Sequence, residues 1–411
     1  MADLDQTAPA TGAAERPSGT SGTSTMRYAL ADAGEFGVDA AKLEELRRRA
    51  HREVDDGLLP SCQLALARNG RLLLFETIGD AAPSSRYVIF STTKGIIAGA
   101  IYLLVGEGSL SWDTKAADLI PEFGTNGKQD ITVEQLLTHT SGFPMAPGNP
   151  VKMATKEGRL ERFATWRLNW EPGTRFEYHP VAAHWVLAEL IERASDTDFR
   201  DFVHTRIFDP LALTTFRLGV PPEEQGDINE LRAVGELPTP EEVEASYGVK
   251  LDLAGMGLEE ATRFLLEMNQ PAVRATGLPG GGGISTAADI ALYYQAMLHN
   301  RDRLWDPEVI AQGTTPIVQF PDPTTGIPIN RSRGMMVAGD PPDAQRRGGW
   351  GHGQSPRSYG HDGAAGQIAW VDPDSGISFC YLTNGLDQHL IREGKRKIAL
   401  SSRAAACRAA S

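Results

Sequence analysis

Strand-like alternation is confined to the two ends of this 411-residue chain, and helical spacing fills the middle. Cys62 to Arg68 alternates, Asn69-Gly70 marks a two-residue turn, and Arg71 to Thr77 returns, which predicts a β-hairpin. A second hairpin is predicted for 366–371 and 377–382, across the turn Pro373-Asp374-Ser375-Gly376. Helical patterns cover 38–56 and 387–408 at the ends, and 94–107, 131–138, 180–194, 197–208, 258–269 and 286–299 between them. Strands at both ends with helices between require an antiparallel sheet built from both chain ends. The expected class is therefore α+β, an antiparallel sheet flanked by helices with an inserted mainly helical lobe.

The expected layout is a tail at 1–26, one lobe from 27–90 and 285–411, and a helical lobe from 91–284. The acidic, Pro-rich stretch 220–255 is read as a possible flap over a site. With 40 Lys and Arg against 53 Asp and Glu, the net charge is −13. That charge argues against nucleic acid or an anionic membrane surface as a partner. An 18-residue apolar run is lacking, so no spanning helix is expected. Residues 1–25 carry neither a basic nor an apolar leader segment, and Cys62, Cys380 and Cys407 make no disulfide framework. A cytoplasmic location is expected on those grounds. The nine histidines form no metal-binding pattern, so neither metal nor other cofactor is expected.

The chemistry is concentrated in Ser91-Thr92-Thr93-Lys94, at the head of the apolar helical run Gly95 to Leu104. Residues i and i+3 share a helix face, so the Ser91 hydroxyl and the Lys94 amine are set side by side. A serine hydroxyl is inert at neutral pH without a base, and a buried lysine loses basicity enough to become one. The N–H groups at the helix start favour a developing oxyanion. These are the parts of an acyl-transfer site.

Four further segments stand in order after this one: Leu136-Leu-Thr-His-Thr-Ser-Gly142, Glu171-Pro-Gly-Thr-Arg-Phe-Glu-Tyr178, Gly280-Gly-Gly-Gly-Ile-Ser-Thr286 and His361-Asp-Gly-Ala364. With Ser91 and Lys94, they make the chain resemble the serine β-lactamase and penicillin-binding-protein superfamily over roughly residues 36–405. The nearest resemblance is to class C-like enzymes and the family VIII carboxylesterases. It implies the β-lactamase/transpeptidase-like fold, Ser91 as nucleophile, and Lys94 and Tyr178 as its proton-transfer partners. It also implies that the Ala364 and Ser91 N–H groups bind the oxyanion, with His361 and Gly363 on the wall of the site.

Two departures bear on the substrate. Where the family carries an Asn two residues after the Tyr, this chain has Pro180, which has no side-chain donor. Where a Lys commonly stands, it has His361, which removes a fixed positive charge. Both favour esters over β-lactam carboxylates. The expectation is a serine carboxylesterase acting on a small-molecule ester through an acyl-enzyme, with oligomeric state left open. An acyltransferase, an amidase or β-lactam hydrolase, and a non-catalytic acyl-ligand binder remain the alternatives. His179 is the alternative base to Tyr178.

Overall fold

The two hairpins join edge to edge. In a computed structural model that describes residues 28–247, 257–321, 329–339 and 350–409, β1 is Ser61–Arg68 and β2 is Arg71–Gly79. The turn between them places Asn69 at φ 52° and Gly70 at φ 73°, the paired left-handed geometry that Asn-Gly tolerates. Four strands follow near the other end of the chain: β3 Met336–Val337, β4 Tyr359–Gly360, β5 Ile368–Asp372 and β6 Ile377–Thr383. The sheet order is β2-β1-β6-β5-β4-β3, antiparallel throughout. The central pairing runs from Cys62 opposite Thr383 to Arg68 opposite Ile377, so residues some three hundred apart in sequence close the sheet.

Seven of the eight residues of β1 are buried, because both faces of the sheet are covered. Cys62, Leu64 and Leu66 point to one side, where they pack with Leu46 and Ala50 of helix α1 (Ala40–Asp55). Ala65 and Ala67 point to the other side and join the large core. That core is centred on helix α2 (Thr93–Gly106), in which every residue from Thr93 to Leu104 is buried. A helix apolar on every side can only be a central one. Helix α3 (Lys156–Thr165) and helix α4 (Ala182–Ser195) contribute to the same core, α5 (Ala287–His299) lies against the sheet, and α6 (Leu390–Ala405) pairs with α1 on its outer face.

The expected class is the one found. Within it, the helix expected over 197–208 is a short α-helix, Phe199–Val203, that passes into a π-turn, His204–Phe208. Helices at Lys156–Thr165, Pro240–Tyr247 and Pro307–Thr314 were not among the expected ones. The stretch read as a flap is anchored at Arg232–Val234, which pairs in parallel with Gly385–Asp387. Its last part, 248–255, and the tail at 1–26 lie outside the described residues.

One short strand pairing and the hydrogen bond after it position the site. Tyr87–Val88 lies antiparallel to Ile284–Ser285, and the Ile89 N–H donates to the Gly283 carbonyl at 2.9 Å. The glycine-rich turn is thereby held against the residues just ahead of Ser91. On the helical side, α4 is locked to α3 by Arg159, which donates to Glu189 at 2.8 Å and to Glu192 at 2.5 Å. The Arg159 and Glu189 side chains are only 1% and 0% exposed, so removing one partner strands a charge in the core. Glu189→Ala is expected to cost about 3–5 kcal/mol in urea unfolding. A loss below about 1 kcal/mol would show that the pair does not hold α3 to α4.

Candidate active site

Ser91 sits in a 3₁₀ turn, Phe90–Thr92, that feeds directly into α2. Phe90 has φ 45°, a left-handed backbone that a bulky side chain rarely adopts. Packing over-determines it: Phe90 is buried with Val88, Val220, Ile284 and Ala365. The Thr93 hydroxyl donates to the Phe90 carbonyl at 2.6 Å and accepts from the Gly283 N–H at 3.0 Å. The strained turn lifts Ser91 out of the core, and Ser91 stays partly exposed while Thr92 to Ala100 are buried.

One turn on, Lys94 is 0% exposed. Its Nζ lies 3.1 Å from Ser91 Oγ, and it donates to the Pro180 carbonyl at 2.7 Å and to the Gly280 carbonyl at 2.5 Å. A neutral amine has two hydrogens and one lone pair. In that form the two carbonyls take both hydrogens and the lone pair faces the Ser91 hydroxyl, whereas the ammonium donates its third hydrogen to Ser91 Oγ. Burial pushes the Lys94 pKa below its usual 10.5, with Arg331 adding to the shift, while the Tyr178 hydroxyl opposes it. Lys94 Nζ is thus placed where, once neutral, it can take the Ser91 proton. Gly280 is required for this arrangement. A Cβ there would stand 2.9 Å from the Pro180 carbonyl oxygen and 3.4 Å from Lys94 Nζ. The glycine run is thus a close-packed turn whose carbonyl orients the lysine.

Tyr178 faces the same amine, with Lys94 Nζ 5.1 Å from its ring centroid. Behind it is His139, from the Leu-Leu-Thr-His-Thr-Ser-Gly segment, its ring 4.6 Å from that of Tyr178. His139 has φ 59° and accepts the His179 N–H through Nδ1 at 3.2 Å. It braces the turn that carries Tyr178, a role sequence reasoning missed although it had marked the segment. His179 is spent on the same loop. Its Nδ1–H donates to the Glu177 carbonyl at 2.7 Å, and its Nε2 accepts from the Phe143 N–H at 3.1 Å and lies 3.1 Å from Ser141 Oγ. Burial pushes its pKa down to about 4. It clips a loop and has no free nitrogen for Ser91.

His361 is 2% exposed and follows β4. Its Nδ1–H donates to the Asp362 carbonyl at 2.7 Å, and its Nε2 accepts from Arg331 Nη1 at 3.2 Å. Burial, then Arg331 and Lys94, hold it far below the usual imidazole pKa, so it is neutral. Arg331 also stands over the Tyr178 ring, 5.3 Å from its centroid. The expectation that His361 leaves the site without a fixed cation is therefore corrected: Arg331 supplies one. It comes from a segment 30 residues upstream that carries no motif, so no local signal marks it.

Gly363 is pressed against the nucleophile turn. A Cβ there would lie 2.4 Å from the Ile89 carbonyl oxygen. The next residue, Ala364, opens a turn in which Ala365 has φ 60°. Among the described residues, the N–H groups of Ser91 and Ala364 donate to no backbone acceptor. Asp362 ties this loop to the scaffold, accepting from Trp350 Nε1 at 2.7 Å and pairing with Lys397 of α6 at 2.9 Å. A free N–H on Ser91 itself, with its hydroxyl paired to a buried amine, suits addition to a carbonyl. Gly280→Ala is expected to lower kcat by about 100-fold through displacement of Lys94, with the melting transition kept. An unchanged kcat would separate the Gly280 carbonyl from the base.

Comparison with known proteins gives the family and the fold. The family model described as Beta-lactamase matches residues 46–402. The chain is 24% identical over 330 residues to the "Esterase/beta-lactamase LipL" of Mycobacterium tuberculosis (strain ATCC 25618 / H37Rv), covering 76% of this chain and 71% of that protein. Among solved structures it is similar to a penicillin-binding protein homolog from Caulobacter crescentus, with TM-score 0.73, 24% identity, and 90% and 99% of the two chains covered. It is also similar to a family VIII carboxylesterase, with TM-score 0.71, 22% identity, and 90% and 99% covered. These structural likenesses speak to the fold. The family match spans nearly the whole chain, and the chain belongs to the beta-lactamase family of serine hydrolases.

Proposed function

We propose that the protein is a carboxylesterase that works through an acyl-enzyme on Ser91. The observation that carries this reading is the clamping of the Lys94 amine by two backbone carbonyls, with its third position on Ser91 Oγ. In the proposed cycle, Ser91 Oγ attacks the ester carbonyl as its proton passes to Lys94. The Ser91 and Ala364 N–H groups stabilise the oxyanion. Lys94 then passes the proton through the Tyr178 hydroxyl to the leaving alkoxide, and water cleaves the acyl-enzyme by the reverse relay.

The preference for esters rests on Pro180, which contributes only its carbonyl, and that carbonyl is bound to Lys94. No side-chain amide is offered there to a β-lactam. The His361 wall itself does not exclude a substrate carboxylate, since Arg331 stands at His361. Three buried, unpaired cysteines support a reducing compartment such as the cytoplasm. Among the described residues, no helix is long and apolar enough to cross a membrane.

The test is a panel of p-nitrophenyl esters of rising acyl length together with nitrocefin. Ester kcat/KM should exceed that for nitrocefin by about 100-fold, roughly 2.7 kcal/mol of transition-state discrimination. Comparable values would make the protein a β-lactam hydrolase, and faster turnover with an added alcohol would make it an acyltransferase. Ser91→Ala should remove covalent labelling by a fluorophosphonate and nearly all turnover.

Tyr178→Phe and Lys94→Met keep the side-chain bulk and should fold normally, yet lose about 100-fold or more in kcat. Acylation by the wild type should rise with pH as Lys94 gives up its proton, because the neutral amine is the base. An active Tyr178→Phe beside a folded, inactive His179→Ala would replace this mechanism with a serine–histidine one.

A further inference from the structure

Away from Ser91, one concavity runs against the charge of the whole molecule. The facing ends of α1 and α6 flank an open surface concavity of about 320 Å³. Arg49 and Arg52 reach it from α1, and Arg392 and Lys395 from α6. Among the described residues, Arg49, Arg392 and the 1%-exposed Arg396 share two carboxylates. Glu53 pairs with Arg49 through one oxygen and with Arg396 through the other at 2.6 Å. Asp387 pairs with Arg392 at 2.6 Å and with Arg396 at 2.5 Å. Arg396 Nη1 is left buried without a hydrogen-bond acceptor. Among the described residues, the Arg52 and Lys395 side chains form no ion pair or hydrogen bond. The remaining acids nearby are Asp56 on the wall and Glu242, which lies 3.5 Å from His389 at the rim.

This arrangement is not forced by a shortage of acids, since the chain carries 53 of them. Arg49 and Arg52 stand i,i+3 on one helix, as do Arg392 and Lys395 on the other, a spacing at which like charges repel. Glu53 offsets Arg49 and Asp387 offsets Arg392, which leaves Arg52 and Lys395 as the charges that a further anion would neutralise. The volume suits a small organic molecule, being near the lower end of ordinary ligand pockets and far larger than a halide needs. We propose that this cavity is a second binding site, for a small organic molecule bearing at least two negative charges as phosphate or carboxylate groups. Such a ligand clamps the first and last helices together on the outer face of the sheet. Through α6 it also stiffens the helix whose Lys397 holds Asp362 in the loop bearing Ala364.

The experiment uses the full chain, with citrate and glycerol 3-phosphate as probes and sodium chloride at matched ionic strength as the control. At about 100 times its Kd, at least one probe should raise the melting temperature by about 3 °C beyond the control. Titration calorimetry should give a stoichiometry of one. The probe that binds more tightly assigns the ligand to the carboxylate or the phosphate class. Arg52→Gln/Lys395→Gln alters exposed side chains outside the catalytic site, so basal esterase activity should stay while the melting shift and the calorimetric signal are lost. Arg52→Lys/Lys395→Arg should restore both. No shift beyond matched chloride, or an equal shift in the Gln variant, overturns the proposal.

Discussion

The contact on which the site depends is the burial of the Lys94 amine between the carbonyls of Pro180 and Gly280. Burying an ammonium is costly unless it is paired, and no carboxylate is within ion-pair reach of Lys94 among the described residues. The protein meets that cost by favouring the neutral amine, the form the chemistry needs. The same contact is architectural. Pro180 precedes α4, Gly280 precedes α5, and Lys94 lies at the head of α2. One amine therefore ties together three segments of the chain, and the fold brings them to a single point.

Around that point the backbone is held in conformations it would not adopt alone. Phe90 and His139 occupy left-handed positions, and Ala365 does the same on the opposite wall. Each is buried and packed, so the surrounding core maintains the geometry. Gly363 and Gly280 allow backbones to approach where any Cβ would intrude. The wall bearing His361 is fixed from behind by Asp362, Trp350 and Lys397. The parts that would meet a substrate are thus preorganised by groups that never touch it.

The local features were legible in the sequence because their signals are local. Asn69-Gly70 marks its turn, β1 alternates between the two cores, and the i,i+3 spacing alone brings Ser91 beside Lys94. What could not be read depends on long-range contact. Arg331 reaches His361 from a segment without a motif, and Pro180 acts through its carbonyl, which the sequence pattern does not mark. His139 lay inside a marked segment, yet its support of Tyr178 arises only when that turn closes. The pairing of Arg232–Val234 with Gly385–Asp387 anchors a stretch that composition alone reads as loose. The π-turn after Phe199–Val203 breaks a helix whose spacing reads as continuous.

The central claim is that burial makes Lys94 a neutral base at working pH. The direct measurement is an NMR titration of protein labelled with [ε-13C]lysine, with Lys94→Met identifying the resonance. The account predicts a midpoint well below 10.5 that coincides with the pH at which Ser91 becomes reactive toward a fluorophosphonate. A Lys94 resonance that stays in its ammonium form up to 10.5, across the range in which Ser91 is reactive, would contradict it.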